Sequence, residues 1–97
     1  MTKEQRTGNL DHLYEAFTKL KTKEEAAAFL TDLCTIREIE DMAQRLMAAE
    51  LLDKGENYLA IASGIGISTA TISRVSRALN YGAGGYRLML TRLSEEE

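Results

Sequence analysis

The sequence predicts an all-α domain, and three observations support this prediction. Apolar residues recur every three or four positions over successive stretches, which is the spacing of one face of an α-helix. The chain contains no proline, and it is rich in Ala, Leu, Glu and Lys, which favour helices. No segment long enough to form a strand alternates between apolar and polar residues. Its 97 residues fit one domain.

The first predicted helix follows a polar N-terminal segment. Residues 1–9 carry no apolar periodicity and are expected to be a flexible N-terminal segment. The helix is predicted by apolar positions at helical spacing: Leu10, Leu13, Tyr14, Phe17 and Leu20. The lysine-rich stretch 21–23 ends it.

Two capping boxes predict the next helix starts. Thr22 is followed by Glu25, so the hydroxyl accepts from the Glu25 amide while the carboxylate reaches back to the cap. Thr35 and Glu38 repeat this spacing and open the third and longest helix. Gly55 is its predicted end, because glycine adopts the left-handed cap conformation without steric cost.

Three further helices are predicted after Gly55. Asn57 caps a short fourth helix ending at Ser63, and residues 64–67 form a tight turn. Ser68 then caps a fifth helix running from Thr69 to about Asn80. Residues 81–85 form a glycine-rich flexible loop, whose degree of order the sequence leaves open. The sixth helix precedes an acidic, flexible tail at 94–97, and its apolar positions are Tyr86, Leu88, Met89, Leu90 and Leu93.

Composition excludes several classes of function. One cysteine and one histidine form neither a disulfide nor a zinc site, and they offer little for a hydrolase. The densest carboxylates, Glu38, Glu40 and Asp41, are interpreted as a cap and a solvated face, so no enzyme activity, catalytic residue, metal or cofactor is predicted. No apolar stretch approaches the ~20 residues of a membrane span. The expected compartment is the cytoplasm.

The net charge of −3 conceals an asymmetry along the chain. Residues 1–56 carry 8 basic and 12 acidic side chains, whereas residues 57–94 carry four arginines and no acidic residue. The local sign matters more than the total for binding a polyanion. The asymmetry alone favours nucleic acid only slightly.

The segment Tyr58–Leu79 has the pattern of a helix-turn-helix, predicted over about 57–80. Ala62 is small where two helices would cross, and Gly66 supplies the positive φ of a tight turn. The predicted inner residues are Ile61, Ile65, Ile67, Ile72 and Val75. The predicted outer, DNA-binding residues are Ser68, Thr69, Ala70, Thr71, Ser73, Arg74 and Arg77. Short hydroxyls, a methyl group and guanidiniums suit close approach to a major groove. A helical hairpin that merely builds a core is the alternative.

The segment Gly66–Leu79, preceded by the long capped helix, resembles the Trp repressor superfamily. Its most specific stretch is Ala70–Arg74, where the family typically has Ala-Thr-Ile-Thr-Arg, and the looser likeness extends from Leu10 to Leu93. The resemblance implies six helices per subunit in an intertwined homodimer. It also implies that the helix-turn-helix binds double-stranded DNA.

The resemblance also implies a candidate effector pocket. Thr35, Arg45 and Arg74 match family positions that contact tryptophan. Val75 stands where the family has a glycine that leaves room for the ligand, and Ala78 replaces a serine that holds its ammonium group. The sequence therefore predicts a protein that does not respond to tryptophan. The sequence leaves open both a different small-molecule effector and no effector at all.

A second departure from the family concerns DNA affinity. The first helix of the motif is basic in the family, whereas Leu59 and Ala62 hold those positions here, which predicts fewer phosphate contacts. The predicted function is a homodimeric, sequence-specific transcriptional regulator on a palindromic operator, with repression as the implied direction. The alternative is a helical protein-interaction module that has lost DNA binding.

Overall fold

The computed structural model describes residues 1–95, and this part of the chain contains six α-helices and no strand. Their bounds are α1 Lys3–Phe17, α2 Lys23–Leu33, α3 Ile36–Asp53, α4 Tyr58–Ile65, α5 Thr69–Tyr81 and α6 Gly85–Glu95. The predicted all-α class and the number of helices are confirmed. No helix within these residues is long and apolar enough to cross a membrane. The chain forms two compact units, Met1–Ile36 and the part from Arg37 onwards.

In the first unit, α1 begins earlier than predicted. Thr2 accepts a hydrogen bond from the Gln5 amide at 3.1 Å, and the Gln5 side chain accepts from the Thr2 amide at 2.7 Å. This capping box places residues 3–9 in α1, so the helix begins before Leu10, its first predicted apolar position. The expected flexibility of residues 1–9 stays a prediction. Apolar periodicity does not indicate this first part of α1, because its side chains are polar on every face of the helix.

The start of α2 follows the predicted cap with one difference. The Thr22 hydroxyl accepts from the Glu25 amide at 3.1 Å, as expected. The Glu25 carboxylate accepts from the amide of Lys21 at 2.8 Å, one residue before the cap. Phe17 and Phe29 then meet edge to face, with ring centroids 5.4 Å apart and an interplanar angle of 71°. This aromatic pair joins the last turn of α1 to α2.

The second unit contains the buried core. Its fully or almost fully buried cluster comes from α3, α4 and α5, and its members are Ala48, Ala49, Ile61, Ile72 and Val75. Partly buried apolar side chains surround this cluster: Leu51, Leu52, Ala62, Ile65, Ile67, Tyr86 and Leu90. The two alanines present flat, small surfaces, so isoleucines from α4 and α5 pack closely against α3. This core fixes the position of the helix-turn-helix.

Gly55 ends α3 as predicted. It has φ of +89°, its amide donates to Leu52 O at 3.0 Å, and the Glu56 amide donates to Leu51 O at 3.1 Å. This pair of bonds satisfies carbonyl groups that the helix end would leave unpaired. It also turns the chain directly into the cap of α4.

The glycine-rich loop is shorter than predicted. Helix α5 continues through Tyr81 and α6 starts at Gly85, so only residues 82–84 connect them. A Cβ at Gly82 would lie 2.4 Å from the Ala78 carbonyl oxygen, and Gly84 has φ of +88°. The two glycines allow a tight corner between the helices, whereas the sequence pattern alone suggested a longer loop. Of the tail expected to be flexible, Ser94 and Glu95 belong to α6, and positions 96 and 97 lie outside the described residues.

Candidate nucleic-acid interface

The first helix of the motif and its turn have the predicted signals. Asn57 Oδ1 accepts from the Ala60 amide at 2.8 Å and caps α4. Gly66 has φ of +82°, and its amide donates to Ala62 O at 2.8 Å. The helix includes Gly64 and Ile65, so it is two residues longer than the predicted end at Ser63. The turn is correspondingly shorter and depends on the left-handed conformation of Gly66 alone.

Ser68 begins the second helix of the motif. Its hydroxyl accepts from the Thr71 amide at 3.1 Å and lies 3.0 Å from the Thr71 hydroxyl. Thr71 is half-buried rather than fully exposed. Both side chains therefore stabilise the first turn of α5, and each hydroxyl keeps capacity for a further hydrogen bond.

The inner and outer faces of α5 separate as the sequence predicted. Ile72, Val75 and Leu79 are buried, with exposed fractions of 0%, 2% and 5%. The remaining predicted DNA-binding residues are exposed: Ser68, Thr69, Ala70, Ser73, Arg74 and Arg77. The helix therefore presents a polar, basic strip away from the core.

The two arginines on this strip are unpaired within residues 1–95. Neither Arg74 nor Arg77 makes an ion pair or hydrogen bond there. Arg87 of α6, in contrast, pairs with Asp53. Two exposed guanidiniums without a carboxylate partner give the outer face of α5 a positive charge available to a polyanion.

A cavity of about 520 Å³ lies in the second unit, beside the same helix. It brings together four of the five predicted effector residues, Arg45, Arg74, Val75 and Ala78. Thr35 precedes α3 directly and belongs to the first unit, so its part in an effector site stays a prediction. The remaining wall residues are Arg37, Asp41, Gln44, Gly66, Ile67, Ser68, Thr71 and Tyr86.

The sequence did not predict four of these wall residues as part of a site: Arg37, Asp41, Gln44 and Tyr86. Arg37 and Asp41 form an ion pair at 3.4 Å, and they share one face of α3 with Arg45 at four-residue spacing. That spacing is a signal which could have predicted them. Tyr86 comes from α6, and no sequence pattern indicates that it reaches the cavity. The wall carries three arginines against one aspartate, so the cavity is positively charged overall.

A short helix, a turn that requires a left-handed glycine, and a second helix with a basic outer face define a helix-turn-helix protein. The family model described as Trp repressor protein matches residues 8–94. The chain belongs to this Trp repressor family, which is a family of regulators rather than of enzymes. The resemblance inferred from Ala70–Arg74 is confirmed.

Relatives and solved structures agree with this assignment. The uncharacterised protein YerC of Bacillus subtilis (strain 168) is 49% identical over 88 residues, which cover 91% of this chain and 85% of that protein. A TrpR-like protein from Eubacterium eligens ATCC 27750 has a TM-score of 0.86 and 43% identity, and the match covers 96% of both chains. A candidate Trp repressor from Staphylococcus aureus has a TM-score of 0.85 and 38% identity, with coverage of 97% of this chain and 96% of that one.

Proposed function

We propose that this protein is a homodimeric, sequence-specific DNA-binding transcriptional regulator that does not respond to tryptophan. The observation that carries the proposal is the outer face of α5, where Arg74 and Arg77 are exposed and unpaired within residues 1–95. This face belongs to a helix-turn-helix inside a segment, residues 57–94, that has no acidic residue. A polyanion is therefore the partner that its charge favours.

The side chains of α5 divide into two roles along the helix. Thr69, Ala70 and Ser73 are small and exposed near its N-terminal end, the end of a recognition helix that meets base edges in the major groove. Arg74 and Arg77 supply charge-assisted hydrogen bonds to phosphates, which fix position without reading sequence. The hydroxyls of Ser68 and Thr71, already ordered by the cap, join them at the start of the helix.

Homodimer formation is supported by apolar surface on the helices outside the motif. Neither α1, α2 nor α6 contains a fully buried residue among those described. Large apolar side chains that are two-fifths or more exposed occur on these helices and on α3: Leu10, Tyr14, Phe17, Leu33, Ile36, Met47, Leu88, Met89 and Leu93. This much apolar surface on one small chain favours association of two copies. Two α5 helices related by a two-fold axis then read a palindrome, with half-sites about 34 Å apart.

The tryptophan part of the proposal depends on the chemistry of the cavity wall rather than on its volume. Val75 is 2% exposed, and it lines the cavity together with Ala78. A valine side chain occupies wall space that glycine would leave empty, and alanine offers no acceptor to an ammonium group. The three arginines on the wall would still favour a negatively charged group, so another effector is compatible with this site.

The decisive experiment is selection from a random duplex pool with the purified protein at about 0.15 M salt, because lower ionic strength inflates nonspecific binding. No effector is added in the first rounds. We expect enrichment of a palindrome whose half-sites are one helical turn apart. The matched control is the double variant R74A/R77A, which should enrich nothing. A wild-type pool that stays random would contradict effector-independent DNA recognition, and it would leave either a required effector near Arg45 and Arg74 or the protein-interaction alternative.

A further inference from the structure

Tyr81 is the last residue of α5 and is 88% exposed. It lines a shallow groove of about 460 Å³ at the C-terminal end of the outer face. The groove is lined by Ser73, Arg74, Arg77, Ala78, Tyr81 and Gly82. An aromatic ring gains little from exposure to water, and this ring lines the same groove as Arg74 and Arg77, two arginines that are unpaired within the described chain.

We propose that Tyr81 extends the DNA interface, and that its phenol hydroxyl donates a hydrogen bond to a backbone phosphate next to the phosphate bound by Arg77. This inference rests on the proposed DNA-binding function. Tyrosine hydroxyls are among the side-chain groups that contact phosphate oxygens in protein–DNA complexes. The role assigned to Tyr81 is therefore to position α5 in the groove, not to read bases.

The length of α5 favours a phosphate over a base for this hydroxyl. Tyr81 lies twelve residues after Thr69, which is about 18 Å along a helix axis. The major groove is about 12 Å wide, so the two ends of α5 do not both fit against base edges. When Thr69 meets the bases, the C-terminal end of the helix reaches the sugar–phosphate backbone. Arg77 precedes Tyr81 by four residues and is its neighbour on the helix surface.

The corner after α5 holds Tyr81 at this position. The Gly82 amide donates to Ala78 O at 2.9 Å, and a Cβ at Gly82 would lie 2.4 Å from that same oxygen. Only glycine fits so close to the end of the helix. The chain therefore turns away immediately, which leaves the Tyr81 side chain at the edge of the basic face rather than in a loop.

The test compares Tyr81→Phe with wild type on the palindrome enriched in the selection. This change removes only the hydroxyl, and a dimer loses two hydrogen bonds, so affinity should fall at least about tenfold. The hydroxyl is uncharged and releases no counterion, so the slope of log K against log[salt] should stay unchanged. Thr7→Val is the matched control, because it also removes a single hydroxyl, and Thr7 is exposed on α1 outside the residues assigned to DNA or to the dimer; this variant should bind as wild type does.

A second measurement locates the contact on DNA. Single methylphosphonate substitutions along the edge of the half-site should include one that weakens wild type but has no added effect on Tyr81→Phe. Wild-type affinity in Tyr81→Phe combined with a loss in Tyr81→Ala would overturn the proposal in favour of ring stacking. Wild-type affinity in both variants would overturn it outright. If wild type itself enriches no DNA, the proposed function fails first and this inference fails with it.

Discussion

Arg87 and Asp53 form an ion pair that joins the first turn of α6 to the last residue of α3. The same guanidinium donates to Asn80 Oδ1 at 3.1 Å, close to the end of α5. One side chain therefore ties together the ends of three helices. The side chain of Asn80 is itself oriented by a second hydrogen bond, in which its Nδ2 donates to Ser76 O at 2.9 Å. Arg87 therefore has a carboxylate partner, unlike Arg74 and Arg77 within the described residues.

Arg87→Ala should lower stability slightly and leave the salt dependence of DNA binding unchanged. Both charged side chains are partly exposed, 49% and 42%, so screening keeps the loss to about 1 kcal/mol or less. Thermal unfolding at fixed protein concentration and a binding titration over several salt concentrations measure the two effects. A salt slope that falls in Arg87→Ala would show that this arginine binds phosphate rather than Asp53.

Arg77→Ala should weaken binding by a similar factor on every DNA sequence. In the proposed complex the Arg77 guanidinium, which has no partner within residues 1–95, neutralises one phosphate per subunit. A variant dimer on a palindrome should therefore lose about 1.8 from the magnitude of the salt slope. Arg77→Lys keeps the charge and should keep the slope. Substitutions at Thr69 should instead change the preferred sequence with little effect on the slope. Unchanged affinity in Arg77→Ala would contradict the docking of α5.

The contrast between these arginines shows what the sequence could and could not predict. Helix starts at Thr22, Asn57 and Ser68 were predictable, because a cap depends on residues three apart in the chain. The inner and outer faces of α5 were predictable because they too follow from the spacing of residues that are close in the chain. The pairing of Arg87 with Asp53 was not, because the two lie 34 positions apart and meet only in the folded second unit.

The candidate effector cavity illustrates the same limit. Arg45, Arg74, Val75 and Ala78 were placed together by family resemblance, and they do line one cavity. The contribution of Tyr86 depends on the corner between α5 and α6, where two glycines take conformations that a pattern of apolar residues does not encode. The predicted loop is therefore too long. Tyr86, which follows it, was expected only to be an apolar position of α6.

Met89→Lys should dissociate the proposed dimer, whereas Leu59→Lys should not. Met89 is 47% exposed on α6 and is one of the exposed apolar side chains outside the motif, whereas Leu59 is 75% exposed on α4 within the motif. Both variants place the same charge on an exposed apolar position, which makes them a matched pair. Sedimentation equilibrium at micromolar concentration measures the mass. A dimer that survives in Met89→Lys, or a monomeric wild type, would contradict the proposed assembly.

Tryptophan should produce no binding heat in a calorimetric titration up to millimolar concentration. The Val75 side chain takes up space on the cavity wall, and Ala78 leaves an ammonium group without an acceptor. The melting temperature should likewise stay constant when tryptophan is added, since a ligand stabilises the folded state only if it binds that state. A dissociation constant in the micromolar range would show that Arg45 and Arg74 suffice, and the tryptophan proposal would be wrong.

Gly66→Ala should destabilise the protein, while Gly64→Ala, two residues earlier, should not. Gly66 has φ of +82°, and a Cβ at this position would meet only open space, so the cost is conformational and about 1–2 kcal/mol. Gly64 lies inside α4, also with nothing near its Cβ position, so alanine should stabilise by about 0.4–1 kcal/mol. Each kcal/mol shifts the melting temperature of a chain this size by about 4–8 °C. Opposite shifts of the two variants at equal protein concentration are the expected result. A Gly66→Ala variant that melts at the wild-type temperature would mean that the turn adopts another conformation in solution.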